Sequence, residues 1–271
     1  MTSREEDPEE GADGRSSSTR PAPPVHPSVA RPPRGEAERR AAALLSVVSH
    51  ELKNHLGVLS LSSATLLRSA GPSLEPQAVR RAAERIERAT ERMIRAVNDL
   101  LDQASLDQDQ LRLERGAHPV SDILGTARDA RSAPATARGS SIELDLREEL
   151  QVHCDRRRIV QVLCYLLDHL LERARESAAE PANGGGETST IHLRVRPAGD
   201  AVRFEVQDPA RVTPEGELPR MFQPFWRAGR GRGLGLNLSL ASGIVQAHGA
   251  ELELETRPEL GSLFWFVLPR A

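Results

Sequence analysis

Lysine is almost missing from this chain. Lys53 is the only one in 271 residues, and arginine supplies the rest of the positive charge. Cysteine is nearly as scarce. Cys154 and Cys164 both stand in apolar segments; two such residues build no disulfide framework and point to a reducing compartment. No apolar run approaches the roughly 20 residues that a membrane span needs, and the N-terminal stretch has no apolar signal core. The formal net charge of -3 is no marked excess of either sign, so nothing overall argues for nucleic acid or an anionic membrane. We therefore expect a cytoplasmic protein with neither nucleic acid nor membrane among its partners. What is present fits a soluble globular chain: 38% hydrophobic and 28% charged residues, over a length that suits one large domain or two smaller ones.

The chain opens with "MTSREEDPEEGADGRSSSTRPAPPVHPSVARPPRG". Proline, serine, glycine and charge dominate, and too little apolar surface is on offer to offset the entropy of ordering. Residues 1–36 are expected to be a disordered tail, not an input domain.

Two long helices are expected next. Val48, Leu52, Leu56, Leu59 and Leu66 recur at steps of three, four or seven. Val79, Ala83, Ile86, Thr90, Met93, Val97, Leu100 and Ala104 alternate steps of four and three, a seam of period 3.5 that marks supercoiled helix packing. Between them "SAGPSLEPQ" holds Gly71, Pro72 and Pro76, which interrupt a helix. Residues 37–109 read as an antiparallel hairpin. One hairpin cannot enclose its own seam, and two can, as a four-helix bundle, so a homodimer is expected.

Within the first helix stands "VVSHELKNHLGVLSL". At about 100° per residue His50 lies roughly 200° from Val48 and from Leu52, away from the seam. Glu51 is its neighbour. A carboxylate beside an imidazole orients it and accepts a ring proton, which leaves the other nitrogen as a nucleophile.

The texture changes after residue 117. Strand-like runs occur at 141–146, 190–195, 201–206, 250–255 and 262–268, several of them alternating. Helical patterns lie at 119–132, 155–176 and 234–249. That is an α+β arrangement with helices on one face of a mixed sheet, a second domain over 117–271. Its glycines gather in "GRGRGLGL", residues 229–236. A glycine-rich turn that opens a helix leaves backbone N–H groups facing outward, as phosphate binding requires.

Four segments together resemble the boxes of the sensor histidine kinase family. "SHELKNHL" resembles the phosphoacceptor box and "DRRRIVQVLCYLLDHL" occupies the place of the asparagine box. "VQDPARVTPEGELPRMFQPFWR" aligns without gaps to the first glycine box and the phenylalanine box, and "GRGLGLNLSLASGIVQAHGAELELETRPELGSLFWFVLP" is similar to the second glycine box with the closing strands. The resemblance runs from about residue 40 to 269. It implies a helical hairpin, dimeric as a four-helix bundle, followed by an α/β sandwich of Bergerat type that binds ATP with Mg²⁺. It also implies a response-regulator receiver domain as partner. Because residues 1–36 do not read as a sensor domain, input is expected to come through an upstream sensor protein. By the resemblance His50 is the phosphoacceptor and Glu51 its base, and Asn54 positions water for dephosphorylating the regulator. Asp208 accepts a hydrogen bond from the adenine amino group. Gly231, Gly233, Leu234, Gly235 and Leu236 form the phosphate turn, and Phe222 and Phe225 anchor the lid over it.

The departures are as specific. His55 stands where the family has a kinking proline. Tyr165 and His169 replace the two asparagines, so the Mg²⁺ position falls to His169, whose imidazole is a poor ligand for a hard ion; Asp168 and Glu172 are nearby carboxylates. The first glycine box reads Asp208, Pro209, Ala210, Arg211, Val212, without its glycines. A branched residue such as Val212 resists positive φ. Two functions stay open: a histidine kinase that phosphorylates His50 from ATP, or a relay in which His50 exchanges phosphate with a receiver and ATP is not used. DNA-directed or chaperone ATPases of the same fold do not account for the "SHELKNHL" hairpin.

Overall fold

The computed structural model describes residues 34–68, 76–179, 189–227 and 234–271, and within them the side chains except at 34–47, 50, 51, 68, 76 and 174–179. The tail expected over 1–36 lies outside the described residues as far as 33. Its last three positions are helical, because α1 runs Arg34–Arg68 and takes in the alanine-rich segment before Val48.

α1 packs against α2, Pro76–Asp107. Their contact is made by small residues. Ala82, Ala89 and Ala96 are buried at steps of seven on α2, and Ser62 is buried on α1. Short side chains let the backbones approach, while half-buried Val79, Ile86, Met93 and Leu100 close over the seam. The expected seam is thereby divided: Ala83, Thr90, Val97 and Ala104 face outward. On α1 the packed positions are Val48, Leu52, His55, Leu59, Ser62 and Leu66, whereas Leu56 is 51% exposed. His55 takes the inner place expected for Leu56, and α1 passes through it as one unbroken helix. α2 ends where Asp109 adopts a positive φ of 54° and the Gln110 N–H reaches back to the Ser105 carbonyl.

The second unit is a mixed sheet with helices against it. β2 (Ser140–Leu146), β4 (Ser189–Ala198), β5 (Ala201–Asp208), β7 (Gly261–Pro269) and β6 (Glu253–Arg257) lie in the order β2-β4-β5-β7-β6. β2 and β4 are parallel and the other pairs antiparallel. Two strands of four residues, β1 (Gly116–Pro119) and β3 (Gln151–Cys154), make a small antiparallel sheet that carries too little alternation to be read from sequence. The helices are α3 (Val120–Thr136), α4 (Arg156–Ala179) and α5 (Asn237–Ala247).

Alternation decides the faces. Ile191, Leu193 and Val195 of β4, Val202, Phe204 and Val206 of β5, and Phe264, Phe266 and Leu268 of β7 are buried beneath the helices. Phe204 and Phe266 stack at 5.1 Å between ring centroids. The opposite face is polar, with Arg203 lying over Trp265 at 3.9 Å and Arg196 paired to Asp145. Among the described residues no helix is long and apolar enough to cross a membrane.

Candidate functional site

Asp208 ends β5 with its side chain fully buried. A buried carboxylate must have its oxygens satisfied. Here Oδ1 accepts from the Ser189 hydroxyl at 2.9 Å and from the Ala210 N–H at 3.0 Å, and Oδ2 accepts from Arg211 Nη1 at 3.0 Å. The loop after Asp208 is pinned to the β6–β7 hairpin. Ser262 Oγ donates to the Arg211 carbonyl at 2.8 Å and lies 2.8 Å from Thr213 Oγ1, and the Thr213 N–H donates to Thr256 Oγ1 at 2.9 Å. Gly261 makes the close approach possible. Its φ is +73°, and a β-carbon there would fall on the backbone of Asp208 and Pro209. The strain expected at Val212 does not arise: positions 209–213 hold no positive φ, and Val212 is 41% exposed. The glycine-free loop follows a path that L residues accept.

α4 carries the two replaced asparagine positions in different directions. Tyr165 turns towards α2. Its hydroxyl donates to Asp99 Oδ1 at 2.5 Å and accepts from Gln161 Nε2 at 2.8 Å. Gln161 also donates to Asp102 Oδ2 at 2.8 Å, and Arg158 Nη1 meets the same oxygen at 2.6 Å. Burial raises the Asp99 carboxyl above the usual carboxylate range against the opposing pull of the Tyr165 hydrogen bond. Burial raises the Tyr165 phenol as well, with Asp99 adding to it.

His169 turns into the core. Its ring meets Phe264 edge-on at 5.7 Å, and its Nε2 is buried with no hydrogen-bond partner. Burial, helped by Arg173, pushes its pKa down to about 3, so the imidazole is neutral. Asp168 is ion-paired with Arg131 at 2.8 Å, and Glu172 has an interaction of its own. Among the described residues no three His, Cys, Asp or Glu side chains gather as a metal site. A neutral nitrogen in an apolar pocket, beside a carboxylate held by arginine, does not fit Mg²⁺, which takes oxygen ligands in an octahedron.

The phosphate turn is described in part. Gly231 and Gly233 lie outside the described residues. Leu234 and Leu236 are buried, and Gly235 has a φ of +69°. A β-carbon on Gly235 would stand 2.5 Å from the Trp226 carbonyl oxygen, so this glycine is required by the protein's own backbone. Phe222 is buried, T-shaped to Phe264 at 6.5 Å, and Phe225 is half-buried with a φ of 66°. On α1, His50 and Glu51 lie in the helix with side chains outside the described residues; Asn54, one turn on, is exposed.

Sequence reasoning missed Arg211, Ser189, Asp99 and Asp102. Arg211 carried a signal, standing three residues after the carboxylate expected to meet the adenine amino group. The acid pair Asp99 and Asp102 lies on one face of α2, and Arg158, Gln161 and Tyr165 lie on one face of α4. Nothing local says that those faces meet.

The described residues form a helical hairpin packed against an α/β sandwich whose central strand ends in a buried carboxylate. The profile of the His Kinase A (phospho-acceptor) domain matches residues 40–109, and that of the histidine kinase-, DNA gyrase B- and HSP90-like ATPase matches residues 154–271. The chain belongs to the sensor histidine kinase family. It is 32% identical over 237 residues to the alginate biosynthesis sensor protein KinB of Pseudomonas aeruginosa, covering 86% of this chain and 37% of that one. It is 31% identical over 239 residues to the sensor protein DivL of Caulobacter vibrioides, covering 86% and 29%. The chain thus spans about a third of the length of these relatives. Among solved structures, Acinetobacter baumannii histidine kinase AdeS is similar at a TM-score of 0.55 and 19% identity, over 81% of this chain and 97% of that one. Full-length ShkA in complex with AMPPNP is similar at 0.58 and 20%, over 85% and 46%. ThkA in complex with the response regulator protein TrrA is similar at 0.54 and 20%, over 87% and 65%. These likenesses establish the shared fold.

Proposed function

We propose that this chain is a cytosolic two-component histidine kinase that phosphorylates His50 from ATP and passes the phosphate to an aspartate of a response-regulator receiver domain. Its working parts are a dimerising acceptor unit over 37–109 and an ATP-binding unit over 117–271. The observation that carries the reading is that one chain holds a matched acceptor hairpin with His50 and a sandwich whose central strand ends in the buried carboxylate of Asp208. In this scheme Asp208 recognises the adenine amino group, and the Gly231–Leu236 turn faces the phosphates. His50 forms an N–P bond as the bond from the γ-phosphorus to the bridging oxygen breaks and ADP departs, and Glu51 takes the ring proton. The receiver's carboxylate then forms a P–O bond as the N–P bond breaks, and Asn54 holds water against the resulting acyl phosphate. No step is assigned to Mg²⁺ at His169, which does not fit it. A relative of similar fold is a complex with AMPPNP and another a complex with a response regulator, which supports both partners.

A second reading is favoured by Arg211 on Asp208 and by the apolar setting of His169: a relay in which His50 takes phosphate from an upstream receiver and ATP is not used. Labelling with γ-³²P-ATP separates the two. The kinase reading expects acid-labile label on wild type and none on His50→Ala. Label that persists in His50→Ala overturns His50 as acceptor. No label from ATP, together with label from a phosphorylated receiver, replaces the kinase with the relay.

A further inference from the structure

Asp208 is the carboxylate of the proposed adenine site; three of its roughly four acceptor positions are already taken, and its side chain is fully buried, so a donor from outside must first displace what covers it. Oδ1 is held by Ser189 and by the Ala210 N–H, and Oδ2 by Arg211. The Arg211 side chain is 18% exposed and the Asp208 side chain 0%, so the pair is withdrawn from bulk water, where ion pairs weaken. The backbone that presents Arg211 is fixed. Its carbonyl is tied to Ser262, and Thr213, two residues on, is tied to Ser262 and Thr256. A second ion pair, Arg173 to Glu217 at 2.6 Å, fastens the following segment to α4, and Arg173 also reaches the Val212 carbonyl at 3.5 Å. Arg211 is therefore held on Asp208 by the fold and is not a wandering surface side chain.

From this geometry we propose that Arg211 is an internal occupant of the adenine-recognition carboxylate, so that a purine amino group gains Asp208 only when the guanidinium is displaced. The inference rests on the reading of Asp208 as the adenine acceptor. An amino group is a neutral donor and a guanidinium a charged one, and against a buried carboxylate the charged donor makes the stronger bond. Arg211 wins unless the rest of the nucleotide contributes enough to move it. The site is thereby self-closed, and its apparent affinity falls by the fraction of molecules in which Arg211 has left. Arg211 sets how readily the domain accepts nucleotide, without itself touching the reacting atoms.

The test is calorimetric titration of the full chain with ATP and, separately, with adenosine, which carries no phosphate. Arg211→Ala is expected to tighten both by on the order of tenfold, as for a competent fraction of about one in ten. Adding Asp208→Asn to Arg211→Ala is expected to abolish both gains. Arg211→Gln keeps a neutral donor, is expected to be intermediate, and takes over the comparison where the alanine variant fails to fold. Should Arg211→Ala weaken ATP and leave adenosine unchanged, Arg211 is a phosphate ligand and the proposal is overturned. Should wild type bind ATP and label His50 while Arg211→Ala and Arg211→Gln bind no more tightly, Arg211 is no occupant but the kinase reading stands. Should no folded variant bind either ligand, Asp208 is not an adenine acceptor, and the ATP reading falls together with the proposal.

Discussion

The Tyr165 hydroxyl on α4 and the Asp99 carboxylate on α2 share a hydrogen bond of 2.5 Å that joins the acceptor hairpin to the sandwich. Around it Gln161 and Arg158 converge on Asp102, so two acidic groups one turn apart on α2 are matched by three donors on one face of α4. Deleting the phenolic oxygen leaves Asp99 and Gln161 each short of a partner in a half-buried place. Tyr165→Phe is expected to destabilise this junction by about 1–3 kcal/mol, the cost of orphaned polar groups. Hydrogen exchange reads it: protection over 99–107 and 158–165 should fall while β4, β5 and β7 keep theirs. Unchanged exchange across the junction would show that the bond is not what holds the two units together.

Asp99 gives the junction a pH dependence of known sign. Burial raises its folded carboxyl above the unfolded value. A group raised in this way contributes most below the unfolded pKa, and the contribution is lost as pH rises through the folded one. Asp99→Asn keeps an acceptor for Tyr165 and carries no charge. It is expected to match wild type near pH 4 and to become the more stable protein as the pH approaches 7. Parallel stability curves for the two proteins over that range would contradict the assignment.

His169 shifts the opposite way. Burial and Arg173 push its pKa down to about 3. The folded state then binds fewer protons than the unfolded state between pH 6.5 and about 3, so stability is complete above 6.5 and falls as the solution is acidified. At pH 5 the loss amounts to about 2 kcal/mol. His169→Leu removes the titrating group and is expected to flatten the wild-type curve between pH 6.5 and 5, as urea titrations at several pH values would show. Equal slopes for the two proteins would mean that His169 stays protonated on folding.

Most of the architecture was legible because its periodicity is local. The alternation of β4, β5 and β7 and the helical patterns at 155–176 and 234–249 reached their places within a few residues, as did the hairpin. What escaped depends on contacts between distant segments. β1 and β3 are four residues each and gain their identity from pairing with each other. The seam of α2 was read as one face, yet the small side chains of Ala82, Ala89 and Ala96 let α1 settle beside it and left Ala83, Thr90, Val97 and Ala104 outside. At the candidate site Asp208 was legible from its box, whereas its guanidinium partner was passed over as a mere absence of glycine. Tyr165 and His169 were seen as losses. That one joins two units and the other fills a core position follows only from where α4 meets α2 and β7.

The outward half of that seam carries the last prediction. Thr90, Ile94, Val97, Leu101 and Ala104 follow one another at steps of four and three along α2, and all five are exposed. Ile94 is 57% exposed, Val97 44% and Leu101 61%, large apolar side chains on a spacing that fits a coiled-coil seam. The ion pairs Arg80–Glu84, Arg88–Glu84 and Arg95–Glu91 stand elsewhere on the same helix surface. Burying a Leu or Ile fully is worth about 1.5–3 kcal/mol, and a two-fold axis counts each residue twice. A second copy of the hairpin is therefore expected to cover the stripe and complete a four-helix bundle. Sedimentation at micromolar concentration should give two subunits for wild type. Replacing Ile94 and Leu101 together by Glu should give one, with the helical circular dichroism signal retained, since these side chains lie outside the α1–α2 contact. A double variant that still sediments as a dimer would place the interface elsewhere, with exposed Leu56 and Leu61 on α1 as the next positions to change.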